Sequence, residues 1–371
     1  MFFSKSSKDG ENHEEEFIKT LAHGVANLFE LADPELPLNW FEFAESKITI
    51  TFPFACVSEH KTVEFLAFSI AKEHEVSLDS VDMLTKITTR AAALPHITNI
   101  RNIVAVSSGK GGVGKSATAV NIAYALMQEG ASVGILDADI YGPSIPTMLG
   151  TKDAHPESPD ERIMIPIEKD GIVTNSIGYL VPDEDAAVWR GPMASKALMQ
   201  LLNETQWPVL DYLIVDMPPG TGDVQLTMAQ QVPLTASIVV TTPQDLALAD
   251  AQKGIDMFAK LNIPVLGLVE NMSSYACSNC GHTEFIFSQN GGTKLSERHD
   301  IPLLGSLPLS ISIREYADAG KPLPIHSPQS LLANQYREIA RTLSLRVALS
   351  AVRSENEEKH IVGEPINVIQ D

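Results

Sequence analysis

A doubly wound, mostly parallel α/β sheet preceded by a small α+β unit is the fold this sequence predicts, and three observations carry it. Short, uninterrupted apolar runs recur from Arg101 onward, as strands buried on both faces require. Segments of helical periodicity lie between most of them. A glycine-rich stretch joins the first apolar run to the first of these helices; open α/β sheets bind ligands at that end of their strands.

Taken in order, residues 1–14 are polar and charged and predict a loose tail. Residues 15–99 read as the small α+β unit. Phe17, Leu21, Val25, Leu28 and Phe29 are spaced for one helical face, and Ile48 to Phe52 alternates as a strand. Lys61 to Lys72 reads as a second helix, and a weaker strand is expected near Leu84 to Thr88. Cys56 reads as a small buried apolar residue. Residues 100–353 form the main domain. Its strands are expected at Ile103–Val106, Val133–Leu136, Tyr212–Val215, Ser237–Thr241, Val265–Val269 and Leu303–Leu307. Ala117 to Gln128 and Gln329 to Val352 read as helices, and 151–170, rich in Pro, Asp and Glu, as a loop insertion. Residues 354–371 are expected to be a loose acidic tail.

Composition narrows the functional classes. The chain has 371 residues, 44% of them hydrophobic, enough for a sizeable core. A formal net charge of -20 argues against a nucleic-acid backbone as the main partner and against stable docking on an anionic membrane. The three cysteines, Cys56, Cys277 and Cys280, are too few for a disulfide framework. The charged start lacks the apolar centre of a signal peptide, and no apolar run is long enough to span a bilayer. The expected location is cytoplasmic.

The glycine-rich stretch is Gly109-Lys110-Gly111-Gly112-Val113-Gly114-Lys115-Ser116, which fits the P-loop pattern G-x-x-x-x-G-K-[ST] and adds Lys110 after the first glycine. Such a loop cradles phosphates with backbone N–H groups. Lys115 is expected to reach the β- and γ-phosphates of ATP, and the Ser116 hydroxyl to bind Mg²⁺. Two acids, Asp137 and Asp139, close the next strand. Asp139 is the candidate for orienting the attacking water, and Asp137 for touching Mg²⁺ through water or a neighbouring group. Tyr212 to Val215 ends in Asp216, expected to hold the Mg²⁺ shell. Pro218-Pro219-Gly220-Thr221-Gly222-Asp223 follows, a segment suited to switching when the γ-phosphate leaves.

Cys277-Ser278-Asn279-Cys280 is the second chemical signal. Two thiolates at this spacing can hold one metal or one edge of a cluster. Three liganded arrangements, beside an unliganded pair, stay open on the motif alone. A symmetric dimer could pool four thiolates around a [4Fe–4S] cluster, the same dimer could hold structural zinc, or His282 and His299 could complete a Cys₂His₂ site in one chain.

SSGKGGVGKS, DADIYGPSIP, WRGPM, DYLIVDMPPGTGD, TTPQDLALADAQKG and ENMSSYACSNCG, in this order, resemble the Mrp/ApbC family of P-loop ATPases over roughly residues 100–345. These are iron–sulfur cluster carriers of the deviant Walker A group, which also contains MinD, ParA and the nitrogenase iron protein. Asp33-Pro34-Glu35-Leu36 after a helix resembles, more weakly, the small domain that often precedes the ATPase. The resemblance implies a homodimer around two nucleotides, with Lys110 reaching the partner's phosphates and Asn271 contacting the adenine edge. It implies a labile [4Fe–4S] cluster between Cys277 and Cys280 of both subunits, handed from an assembly scaffold to apo iron–sulfur proteins under the control of ATP hydrolysis. It also marks Trp189, Arg190 and Met193. The competing readings are an ATPase with a structural zinc at the cysteine pair and a positioning switch of the MinD or ParA kind. The switch would use the amphipathic stretch Tyr336 to Val352, with Arg337, Arg341 and Arg346, but the acidic residues that follow oppose membrane contact.

Overall fold

The computed structural model describes residues 6–361 except 32, 34, 35, 93, 160, 161 and 181–190; the side chains of 6–12, 36, 191, 192 and 352–361 are likewise outside the described set. Pro34, Glu35, Trp189 and Arg190 therefore lie outside the described residues. The chain forms two compact units, Met1–Ile87 and Thr88–Asp371.

The first unit contains α1 (Ser6–Leu28), β1 (Phe41–Ala44), β2 (Lys47–Phe52), α2 (His60–Glu73) and β3 (Ser80–Thr85). β2 pairs antiparallel with β1 and parallel with β3. Alternation along β2 buries Ile48, Ile50 and Phe52 and leaves Lys47 exposed. Phe17, Leu21 and Val25 of α1 and Val63 and Ala67 of α2 are also buried. Phe29, Trp40, Phe52 and Phe54 meet edge to face, the arrangement that ring quadrupoles favour. Cys56 is fully buried.

The second unit runs β4 (Ile100–Ser107), α3 (Lys115–Gln128), β5 (Val133–Asp137), α4 (Ile145–Met148), β6 (Ile167–Lys169), β7 (Ile172–Ser176), α5 (Gly191–Asn203), β8 (Leu210–Asp216) and α6 (Asp223–Gln231). It continues with β9 (Ala236–Thr241), α7 (Asp245–Lys260), β10 (Val265–Glu270), β11 (Tyr275–Ala276), β12 (Thr283–Glu284) and α8 (Gly291–His299). β13 (Leu303–Ser306), α9 (Ile311–Asp318), α10 (Leu323–His326) and α11 (Leu331–Ile361) complete it. The large sheet has the order β13-β10-β9-β4-β8-β5-β7-β6. Its pairings are parallel except β6 with β7. Ile103 and Ala105 of β4 pack with Leu198 and Leu202 of α5 and Met228 of α6. On the opposite face, α3 packs against α11. Helices on both faces explain why these strands are apolar throughout.

Four expectations need correction. The start is not a tail through residue 14, because α1 begins at Ser6 and its charged residues sit on helical turns, with Lys19 bonded to Glu15 at 2.6 Å. The first unit ends at residue 87 rather than 99. The backbone after it belongs to the second unit, where the Arg90 guanidinium donates to the Thr235 carbonyl and Asn102 Nδ2 to that of Thr88. The stretch 151–170 is not all loop, since β6 and β7 form a hairpin around Asp170 (φ 47°) and Gly171 (φ 90°). Finally, α11 continues to Ile361, past the expected start of the tail.

Candidate nucleotide and thiol sites

Three adjacent strands end at one level. Asp137 of β5 and Val106 of β4 both pair in register with Asp216 of β8, so the loops after these strands open onto one cradle. The P-loop leaves β4 and enters α3, whose first residues are Lys115 and Ser116. Two glycines are sterically required. A Cβ on Gly109 would lie 2.2 Å from the Asp250 backbone, and one on Gly114 (φ +85°) would lie 2.2 Å from Asn271 Nδ2.

Lys115 is buried, with Nζ 2.6 Å from Asp216 Oδ1 and 3.8 Å from Asp139 Oδ2. It also reaches the Ser116 hydroxyl at 3.2 Å. One cation thus faces three acids. Burial raises the Asp216 carboxyl, while Lys115 and the Ser116 hydroxyl oppose the rise. Burial and the neighbouring Asp216 push Asp137 up in the same way. Burial also pushes Asp139 up to about 6 against the pull of Lys115.

The acids differ in what they have left to offer. Asp137 accepts from Asp139 N–H at 3.2 Å through Oδ1, and from Ile145 N–H at 3.2 Å and the Ser176 hydroxyl at 3.0 Å through Oδ2. Its carboxylate therefore shapes the 139–145 loop. Asp216 Oδ2 is buried with no hydrogen-bond partner, an arrangement that calls for a cation or water. Asp216 and Ser116 thus fit a hard, oxygen-liganded ion such as Mg²⁺.

Lys110 sits at the rim, donating to Gln244 Oε1 at 3.1 Å. Gly220 N–H of the Pro-Pro-Gly segment donates to the Ser108 carbonyl at 2.9 Å, tying it to the P-loop. Asn271 is not simply a surface for a base. It is buried, and its Nδ2 donates to the Val113 carbonyl at 2.8 Å, so it braces the P-loop from behind. Gln244 and Ser176 were not anticipated: Gln244 lies within the TTPQD run, while nothing local marks Ser176. Met193 is 55% exposed on α5.

Cys277 and Cys280 occupy the tip of the β11–β12 hairpin. Cys277 N–H donates to the His282 carbonyl at 2.9 Å, and Gly281 N–H to the Cys277 carbonyl at 2.8 Å. Backbone N–H groups of Asn279 and Cys280 point at the Cys277 sulfur and lower its pKa, favouring the thiolate. Cys280 is exposed and Cys277 partly so. Among the described residues no group of three or more His, Cys, Asp or Glu could hold a metal ion. The one-chain Cys₂His₂ arrangement is therefore not assembled. His299 lies at the far end of α8, its Nε2 buried, and His282 serves the hairpin through its carbonyl. No helix among the described residues is long and apolar enough to cross a membrane.

Residues 99–344 match the family model described as the NUBPL iron-transfer P-loop NTPase, of the ParA type. The iron–sulfur cluster carrier protein of Salmonella typhimurium is 63% identical over 246 residues, covering 66% of this chain and 67% of that protein. Among solved structures, a nucleotide-binding protein from Archaeoglobus fulgidus in complex with ADP is 34% identical, with a TM-score of 0.54, over 60% of this chain and 88% of that one. The cell division ATPase MinD of Pyrococcus furiosus aligns with a TM-score of 0.52 over 66% of this chain and 98% of its own, at 21% identity; that likeness concerns the fold alone.

Proposed function

The chain belongs to the NUBPL iron-transfer P-loop NTPase family, and from that premise we propose that it is an ATP-dependent iron–sulfur cluster carrier. Two copies would share one labile [4Fe–4S] cluster, received from an assembly scaffold and passed to apo iron–sulfur proteins. The observation that carries this reading is the unfinished thiol site. Cys277 and Cys280 are presented together on a hydrogen-bonded, solvent-facing turn, and among the described residues they belong to no group of three or more His, Cys, Asp or Glu that could hold a metal ion. Two thiolates are half of a four-thiolate set, and a two-fold axis supplies the other half. An exposed, shared site suits a cargo that must leave.

The nucleotide chemistry follows from the cradle. Phosphates entering the P-loop meet its backbone N–H groups and draw Lys115 Nζ from Asp216 Oδ1. Asp216, then unpaired, and the Ser116 hydroxyl would hold Mg²⁺, which neutralises charge on the β- and γ-phosphate oxygens when bound. Asp139, beside Lys115, would orient the attacking water; burial raises its carboxyl to about 6 against the pull of Lys115. Asp137 keeps the loop that carries Asp139 in place. Lys110 would leave Gln244 to reach phosphates of the partner subunit, and Asn271 would meet adenine through Oδ1 or its second Nδ2 hydrogen while the first stays on Val113.

The test is transfer. Reconstituted protein incubated anaerobically with an apo [4Fe–4S] dehydratase should restore its activity, faster with Mg·ATP than without nucleotide. Restoration that is equally fast with Cys277→Ala, Cys280→Ala protein would mean that free iron and sulfide do the work.

A further inference from the structure

The connection between β10 and α8 carries the cysteine pair, and buried side chains fasten both of its ends. At the near end Asn271 holds the Val113 carbonyl of the P-loop. At the far end Glu270 Oε1 accepts from Gly292 N–H at 2.6 Å, and Glu270 Oε2 lies 3.5 Å from the Ser306 hydroxyl. Gly292 is the second residue of α8; its N–H is one of those a helix leaves unpaired, and a carboxylate there is favoured by the helix dipole.

The contact is tight and continuous with the nucleotide cradle. A Cβ on Gly292 would lie 3.0 Å from both Glu270 Cβ and Oε1, and one on Gly291 would lie 2.7 Å from Leu248 of α7. The α7 backbone at Asp250 is the surface against which Gly109 packs. A closed mechanical circuit results: P-loop, Asn271, Glu270, α8, α7 and back to the P-loop. The thiol hairpin hangs from this circuit between Asn271 and Gly292. Glu270 is 4% exposed, and no lysine or arginine pairs with it among the described residues. Its two carboxylate oxygens instead face the Gly292 N–H of α8 and the Ser306 hydroxyl of β13, so one side chain at the end of β10 ties three elements together.

We propose that Glu270 is a positioning residue that couples the P-loop to the cysteine pair. It acts by fixing the start of α8 to the strand end that braces the P-loop. A shift of Val113 as phosphates enter moves Asn271, and Glu270 passes that movement to the other end of the hairpin. The consequence for cluster release rests on the carrier reading above, but the coupling itself can be read without a cluster.

The experiment measures iodoacetamide labelling of Cys277 and Cys280 by mass spectrometry in the full-length, cluster-free protein, with and without Mg·ADP. In the wild type, nucleotide should change the labelling rate by about fivefold or more, the lower range of ordinary coupling energies. Glu270→Ala should bind Mg·ADP within about threefold of wild type, a change under 1 kcal/mol, yet label at one rate with or without it. Glu270→Gln keeps the Oε1 acceptor and should respond as wild type does. Hydrogen exchange at the start of α8 should quicken in Glu270→Ala and not in Glu270→Gln. If Glu270→Ala does not fold, Gly292→Ala, whose Cβ would crowd Glu270 Cβ and Oε1 at 3.0 Å, should weaken the response in the same direction. A full nucleotide response in the variant that folds, or none in the wild type with nucleotide bound, overturns the proposal. Failure of the carrier reading shows separately, as wild type that binds no iron and sulfide.

Discussion

Replacing Asn271 by alanine tests whether this side chain acts on the phosphates rather than on the base. The hydrogen bond from Nδ2 to the Val113 carbonyl is 2.8 Å long and buried. Its net worth is about 1–2 kcal/mol, with the stranded carbonyl at the upper end. If the braced conformer of the P-loop loses that much, the population able to bind phosphate falls, and apparent affinity falls with it by about 5- to 30-fold. Asn271→Asp should be worse, because it sets a carboxylate oxygen against the carbonyl. The assay is calorimetry with Mg²⁺ complexes of ADP, GDP and tripolyphosphate. Loss through the brace is the same for all three ligands, since tripolyphosphate has no base. A loss confined to ADP, with tripolyphosphate unchanged, would refute the bracing role and leave only a base contact.

Gly114→Ala should weaken the same three ligands by about tenfold or more, since a left-handed φ of +85° costs an L-residue about 1–2 kcal/mol and the added Cβ displaces Asn271; calorimetry again decides. Asp137→Ala strands the donors on Asp139, Ile145 and Ser176 and should lower the melting temperature by roughly 6–12 °C, from about 3 kcal/mol lost in a unit of this size; differential scanning fluorimetry checks it. His60 stacks on Phe52 with ring centroids 5.6 Å apart, and burial lowers its pKa. A depressed base contributes stability above its ordinary pKa that is lost as pH falls through the folded value. Wild type should therefore lose more stability than His60→Gln between pH 7.5 and 5.5, read by urea unfolding with tryptophan fluorescence.

What was legible in the sequence was what local pattern encodes. β4, β8 and β9 are buried on both faces, and their apolar runs fell within a residue or a few of the observed strands. The P-loop, Asp216 and the cysteine pair were visible because their chemistry needs short fixed spacings. The β6–β7 hairpin was missed because Ile167-Glu168-Lys169 is short and polar, although Asp170-Gly171 is the dipeptide a tight hairpin favours. The polar start hid the first turns of α1 because charged residues suit a helix as well as a tail. Partnerships were the illegible part. Asn271 and Val113 are 158 residues apart, and Lys115 and Asp216 are 101 apart. Glu270 ends a strand like any other acid, and only the fold places it under α8.

The central claim is that two chains share one cluster through Cys277 and Cys280. Anaerobic reconstitution with iron and sulfide, followed by metal and sulfide analysis and size measurement, tests it most directly. A brown dimer with about four irons and four sulfides per two chains is expected, absent in Cys277→Ala and in Cys280→Ala. A colourless protein that keeps zinc on the same cysteines would contradict it.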